Sequence, residues 1–228
     1  MDFLPYKVKW CRENGLRMYI LDNYSTDGSW EYLLENKIPC ERVNTMEMFD
    51  LGRLQSATDK ALRRLNPDWV VYVGLDTFIL TQDTLRAEIS KCGGNMIGGK
   101  WINMHNTGEI RGNPFKTYFY YAPIKSRITL IYKYHPHTRL FGDDLNYGKG
   151  KKAVALNGIY VNFGNVKPTK QRDDTYIRRK KAWQHGISKG WGTHYPVYKA
   201  LGWKWNPAKL RDIRKSEYYE LYKQLWTF

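Results

Sequence analysis

The sequence predicts an α/β fold: a mostly parallel central sheet flanked by helices, with an antiparallel extension and a basic helical C-terminal region. Three observations predict it. Helical and strand-like patterns alternate over residues 3–91. Two apolar runs in that stretch each close on an acid, Asp22 and Asp76. After Asn95 the pattern changes to short β-rich runs separated by Gly- and Asn-rich turns. Strands joined through helices pair in parallel and are covered on both faces, whereas strands joined by turns pair antiparallel.

The elements follow in order. Phe3, Leu4, Val8 and Cys11 share one face of a helix over 3–14, which Gly15 ends. Residues 16–21 read as a strand, 29–35 as a helix and 39–43 as a short strand. Leu54, Thr58, Ala61, Leu62 and Leu65 line one side of a helix over 51–65, stopped by Pro67. The run 68–73 is apolar and β-branched, as expected of a buried parallel strand. A helix over 84–91 follows, then strands over 96–104, 116–121 and 153–161. Beyond Lys167 the pattern is of helices and basic loops, with a final helix from Pro207 to about Trp226. The organisation expected is a domain over 1–166 with a basic, aromatic-rich extension over 167–228 packed on it.

The chain has 228 residues and a net charge of +15, which calls for an acidic partner. Residues 167–228 hold 15 Lys and Arg against 5 Asp and Glu, so +10 of the charge lies there. Aromatic rings are interleaved with these bases, as in a nucleic-acid groove that stacks bases and neutralises phosphates. The residues singled out are Arg178, Arg179, Lys180, Lys181, Trp183, His185, Trp191 and His194. A solvated helix face is the other reading of the same charges. Three cysteines, widely spaced, make neither a disulfide framework nor a zinc knuckle, and imply a reducing compartment. With no apolar run long enough to span a bilayer and no export signal at Met1-Asp2, the expectation is a cytoplasmic protein without stable membrane insertion.

Chemistry is concentrated at the two strand-end acids. In open α/β sheets ligands sit beyond the carboxyl ends of strands. The run Tyr19 to Trp30 carries Asp22, Asn23, Ser25 and Asp27 there, in a turn suited to a nucleotide. Asp76 closes the second run and should converge with Asp22 on one crevice. A carboxylate there either caps a turn or holds Mg²⁺ or Mn²⁺ together with phosphate oxygens.

These segments resemble the inverting family 2 glycosyltransferases of the GT-A fold, phage-type enzymes that modify DNA among them. The shared pattern is an acid followed by Phe-Leu (Asp2, Phe3, Leu4), then Asp-Asn-x-Ser-x-Asp-Gly (Asp22 to Gly28), then Asp-Trp and a strand closing on an acidic box (Asp68 to Phe78). The resemblance covers about the first 80 residues. It implies that Asp22 contacts the base or ribose of a nucleotide-sugar donor, with Asn23, Ser25 and Asp27 beside it. It implies that Asp76 binds the metal, with Asn162 at the place of a late His ligand. It implies a catalytic base in the pair Asp143-Asp144, Asp144 preferred; as residue types alone, adjacent acids are also turn formers. The sequence departs from the family at Gly74, where the box has its first acid, at Thr77, where it has Glu, and in the strand that normally precedes the Phe-Leu segment, which is missing or supplied otherwise.

The expected activity is transfer of a sugar from a uridine-linked donor to a hydroxyl with inversion. The charge distribution favours a hydroxylated base in DNA as acceptor, in a host cytoplasm if the protein is viral. Alternatives are a polysaccharide or lipid-linked acceptor, a non-catalytic nucleic-acid-binding protein on a degenerate GT-A fold, and a nucleotidyltransferase. If DNA is the partner, counterion release makes its affinity fall about a hundred-fold or more between roughly 50 and 200 mM salt; flat binding in a filter or anisotropy titration would exclude it.

Overall fold

The computed structural model describes residues 3–44, 51–105, 113–117, 119–136, 139–141, 144–146, 152–166 and 210–228, with backbone alone at 51, 122–128, 139–141, 144–146 and 165. Helix α1 (Leu4–Glu13) carries Pro5 in its first turn, where a missing N–H costs nothing, and ends before Gly15 at φ +66°. Strand β1 (Ile20–Asp22), helix α2 (Ser29–Glu35) and strand β2 (Cys40–Arg42) form a parallel unit, with Asp22 opposite Arg42. Gly28 precedes α2 at φ +83°, a conformation that only glycine adopts without strain. Helix α3 (Leu51–Leu65) buries Thr58, Ala61 and Leu62, as its spacing predicts, while Leu65 stays exposed.

Six further strands build one sheet. They are β3 (Trp69–Val71), β4 (Thr77–Thr81), β5 (Met96–His105), β6 (Tyr120–Lys133), β9 (Ala153–Asn165) and β10 (Arg211–Asp212). Their order is β10-β6-β5-β9-β4, with β3 also on β6. A separate hairpin pairs β7 (Arg139–Phe141) with β8 (Asp144–Asn146). Helix α4 (Leu85–Ser90) lies between β4 and β5, capped by the Thr84 hydroxyl, which accepts from the Ala87 N–H.

The mixed α/β class expected from the sequence is present, but the described strands are mostly antiparallel rather than mostly parallel. Among the described strands only β1–β2 and β5–β9 pair in parallel. The run expected to be a buried parallel strand, β3, is half-buried and antiparallel to β6. Apolar β-branched sequence reports burial, not direction; direction is set by a partner about sixty residues away. The strands after Asn95 form the main sheet rather than an extension. The fully buried strand β4 was not anticipated.

Strands β1 and β3 are flanked by the same two helices. On one face Leu4 and Val8 of α1 cluster with Met18 and Ile20, and Trp69, Val71 and Val73 join the core that holds Trp10. On the other face Leu62 of α3 clusters with Val70 and Tyr72, and Arg64 bonds the Tyr19 hydroxyl. Among the described residues no backbone pairing joins β1 to β3.

The C-terminal residues complete this core rather than forming the single helix expected to about Trp226. A short 3₁₀ turn (Ile213–Lys215), helix α5 (Tyr219–Lys223) and a second 3₁₀ turn (Gln224–Thr227) replace it. Ile213, Tyr222 and Leu225 are fully buried, and the Trp226 indole donates to the Phe115 carbonyl at 3.1 Å. Packing of the aromatic face against β6 and residues 114–116 outweighs helix propagation over so short a segment.

At the centre, Phe78 meets Phe3, Trp10, Phe115 and Phe163 edge-on, with centroids 5.1–6.4 Å apart. The Trp10 indole donates to the Ile79 carbonyl at 3.2 Å, tying α1 to β4. Phe78→Ala should lower unfolding free energy by about 3–5 kcal/mol, read as a shift in the urea midpoint.

Candidate functional site

Asp76 sits in the turn between β3 and β4. The Thr77 N–H donates to the Gly74 carbonyl at 3.2 Å, and the Phe163 N–H donates to the Asp76 carbonyl at 2.7 Å. Antiparallel register then sets Thr77 opposite Asn162. The Asn162 amide nitrogen donates to Thr77 Oγ1 at 2.8 Å and lies 3.4 Å from Asp76 Oδ1. Its oxygen accepts the Gly164 N–H at 3.0 Å. The structure thus brings together Asp76 and Asn162, which are 86 residues apart.

Two glycines make room for this cluster. A Cβ on Gly164 would stand 3.0 Å from Asp76 Oδ2 and from Asn162 Oδ1. A Cβ on Gly74 would stand 2.9 Å from Asp76 Oδ1. Glycine at 74 leaves the space over the turn that the Asp76 carboxylate occupies.

Lys7 backs the same turn and was not singled out from the sequence. It is 2% exposed. Its ammonium donates to the Thr77 carbonyl and lies 4.2 Å from the Trp10 ring centroid and 4.9 Å from that of Phe78. Burial pushes its pKa down to about 8, against the pull of Cys11 and Asp76. A signal existed: Lys7 follows Leu4 by three residues and precedes Cys11 by four, so helical spacing puts it on the apolar face.

Asp22 organises a second network at the end of β1. It is 4% exposed. Its two oxygens lie 3.3 and 3.2 Å from the Ser25 backbone nitrogen, and Arg42 Nε is 3.6 Å away. The Arg42 guanidinium lies over the rings of Trp30, at 4.4 Å, and Tyr24, at 4.9 Å. Asp27 accepts the Ser29 N–H at 3.1 Å where α2 opens, and Asn23 is exposed in the turn. Tyr24, Trp30 and Arg42 were not read from the sequence as site residues. Asp22, at the end of β1, and Asp76, in the turn before β4, belong to separate hydrogen-bond networks that share no described residue, so the single crevice expected from the sequence is not shown.

Among the described residues no group of three His, Cys, Asp or Glu side chains could cage a metal. Asp76 fits the lesser requirement of Mg²⁺ or Mn²⁺ held by one carboxylate with phosphate oxygens and water. Asn162 turns its amide nitrogen toward Asp76 and engages its oxygen with Gly164, so it orients the carboxylate. Asp143 lies outside the described residues; Asp144 opens β8, its side chain outside them. Arg178, Arg179, Lys180, Lys181, Trp183, His185, Trp191 and His194 also lie outside. Among the described residues no helix is long and apolar enough to cross a membrane. No family model matches the chain, and no curated protein matches it.

Lys7 binds its proton less tightly when folded than when unfolded. The unfolded state therefore holds more protons between about pH 8 and 10.5, and stability rises with pH across that window. Lys7→Met should abolish this alkaline gain, on the order of 2–3 kcal/mol, in urea melts at pH 7.5 and 10.

Proposed function

We propose that the protein is an inverting glycosyltransferase that moves a sugar from a uridine-linked donor to a hydroxyl acceptor, and that the acceptor is a hydroxylated base in DNA. The observation that carries the reading is the Asp76 cluster: a carboxylate at the start of a buried strand, oriented by its neighbour Thr77 and by Asn162 from a distant segment. The order of the segments resembling family 2 supports it, as does the second acid, Asp22, at the carboxyl end of β1.

In this reading the acceptor oxygen attacks the anomeric carbon while the bond to the diphosphate breaks. The acceptor proton passes to Asp144 or Asp143, and the diphosphate leaves with the bonding electrons. A bound divalent cation would neutralise charge on that diphosphate. Asp76 would hold the diphosphate end through such a cation. Asn162 and Thr77 keep its carboxylate in place, and Lys7 fixes the Thr77 carbonyl from behind. The DNA half of the proposal rests on charge: +10 in residues 167–228, with interleaved rings, suits a polyanion. A base in a duplex would have to be flipped out, and phosphate contacts would offset that cost.

The test is to incubate the protein with nucleotide sugars and DNA containing hydroxymethylated bases, weighing the DNA and assaying released nucleotide. The expected result is DNA heavier by one sugar and release of nucleoside diphosphate. Asp76→Ala should slow turnover by about a hundred-fold or more. Gly164→Ala, which crowds Asp76, should slow it with little change in melting temperature. Normal turnover by Asp76→Ala would remove the site assignment, and pyrophosphate release would point to nucleotidyl transfer instead.

A further inference from the structure

We infer that Tyr24 and Arg42 form a planar seat for the base of a nucleoside diphosphate, and that Asp22 acts through Arg42 rather than on the base itself. This rests on the donor reading above and assigns that site two residues and a base preference.

Asp22 has little left to offer a base. Its carboxylate is almost fully buried, faces the Ser25 N–H and pairs with Arg42. Arg42 is differently placed. The ion pair uses Nε, and its terminal nitrogens donate to no described residue. Its side chain is one-third exposed and lies against Trp30 and Tyr24, which hold the guanidinium plane.

Tyr24 supplies the second surface. It is 51% exposed, and its backbone is left-handed, at φ +53°. A non-glycine residue in that region is uncommon, and such residues cluster at ligand sites. An exposed ring beside a guanidinium, beyond the carboxyl ends of two parallel strands, is suited to stacking a base. Arg42 only donates hydrogen bonds. It therefore matches a base whose edge presents carbonyl oxygens, as uracil does, better than cytosine, which puts an amine at the same edge.

Calorimetric titration of UDP and CDP into the whole protein tests this. The wild type should bind UDP more tightly than CDP. Tyr24→Gly, which suits the left-handed backbone, should weaken UDP about ten-fold while the protein remains folded by circular dichroism. Tyr24→Phe should retain affinity. Arg42→Gln should weaken UDP and narrow the UDP/CDP ratio; because it strips Asp22 of its partner, Tyr24→Gly decides if that variant fails to fold. Wild-type affinity in Tyr24→Gly, with wild-type base preference in any folded Arg42→Gln, overturns the seat while leaving the donor reading intact. Failure of the wild type to bind either nucleotide overturns both.

Discussion

Pairing of β4 with β9 is the constraint on which the candidate site depends. Five residues of β4 are buried, so their backbone groups must be satisfied by a neighbouring strand. Antiparallel pairing over Thr77 to Thr81 satisfies one edge of the strand, and on the other Lys7, Trp10 and Gln224 donate to the Thr77, Ile79 and Thr81 carbonyls. A slip of one residue would turn Phe78 and Leu80 away from the core that holds them. The register that hydrophobic packing enforces is the register that sets Asn162 against Thr77 and Asp76. Geometry at the site is thus a by-product of burial a few residues away.

The same packing explains how a charged amine is tolerated in the core. Lys7 lies against two aromatic rings and donates to a main-chain carbonyl, so its desolvation is partly offset by the ring quadrupoles and one charge-assisted hydrogen bond. The fall in its pKa shows that the compensation is incomplete. Helix α1, strand β4 and the Asp76 turn are therefore linked through one side chain as well as through the Trp10–Ile79 bond.

At the other end of the layer, Asp22 and Arg42 face each other across the parallel pair β1–β2. The carboxylate organises the turn through Ser25, and the guanidinium extends that order outward to Tyr24 and Trp30. Two acids that look alike in sequence, each closing an apolar run, thus have different surroundings. One is enclosed by an arginine and a main-chain N–H. The other is steered by an amide and a hydroxyl.

Local signals in the sequence were enough for α1, α2, α3 and α4, whose apolar spacing, caps and glycine stops act within a few residues. They were enough to mark Asp22 as an acid at a strand end; Asn162 entered through the family resemblance alone, and Asp76 stands in the turn before β4 rather than at the end of β3. They could not report strand direction: the run at β3 looks the same whether its neighbour runs parallel or antiparallel, and its partner lies in β6. Nor could they separate β4 from the turn before it, or show Lys7, Tyr24 and Arg42 as a buried amine and a stacked pair. Composition and periodicity by themselves determined an α/β protein with a basic C-terminal quarter and an acid, Asp22, at a strand end. Tertiary structure decided which acid meets which partner and that residues 210–228 complete the core, because those outcomes depend on contacts between segments far apart in the chain.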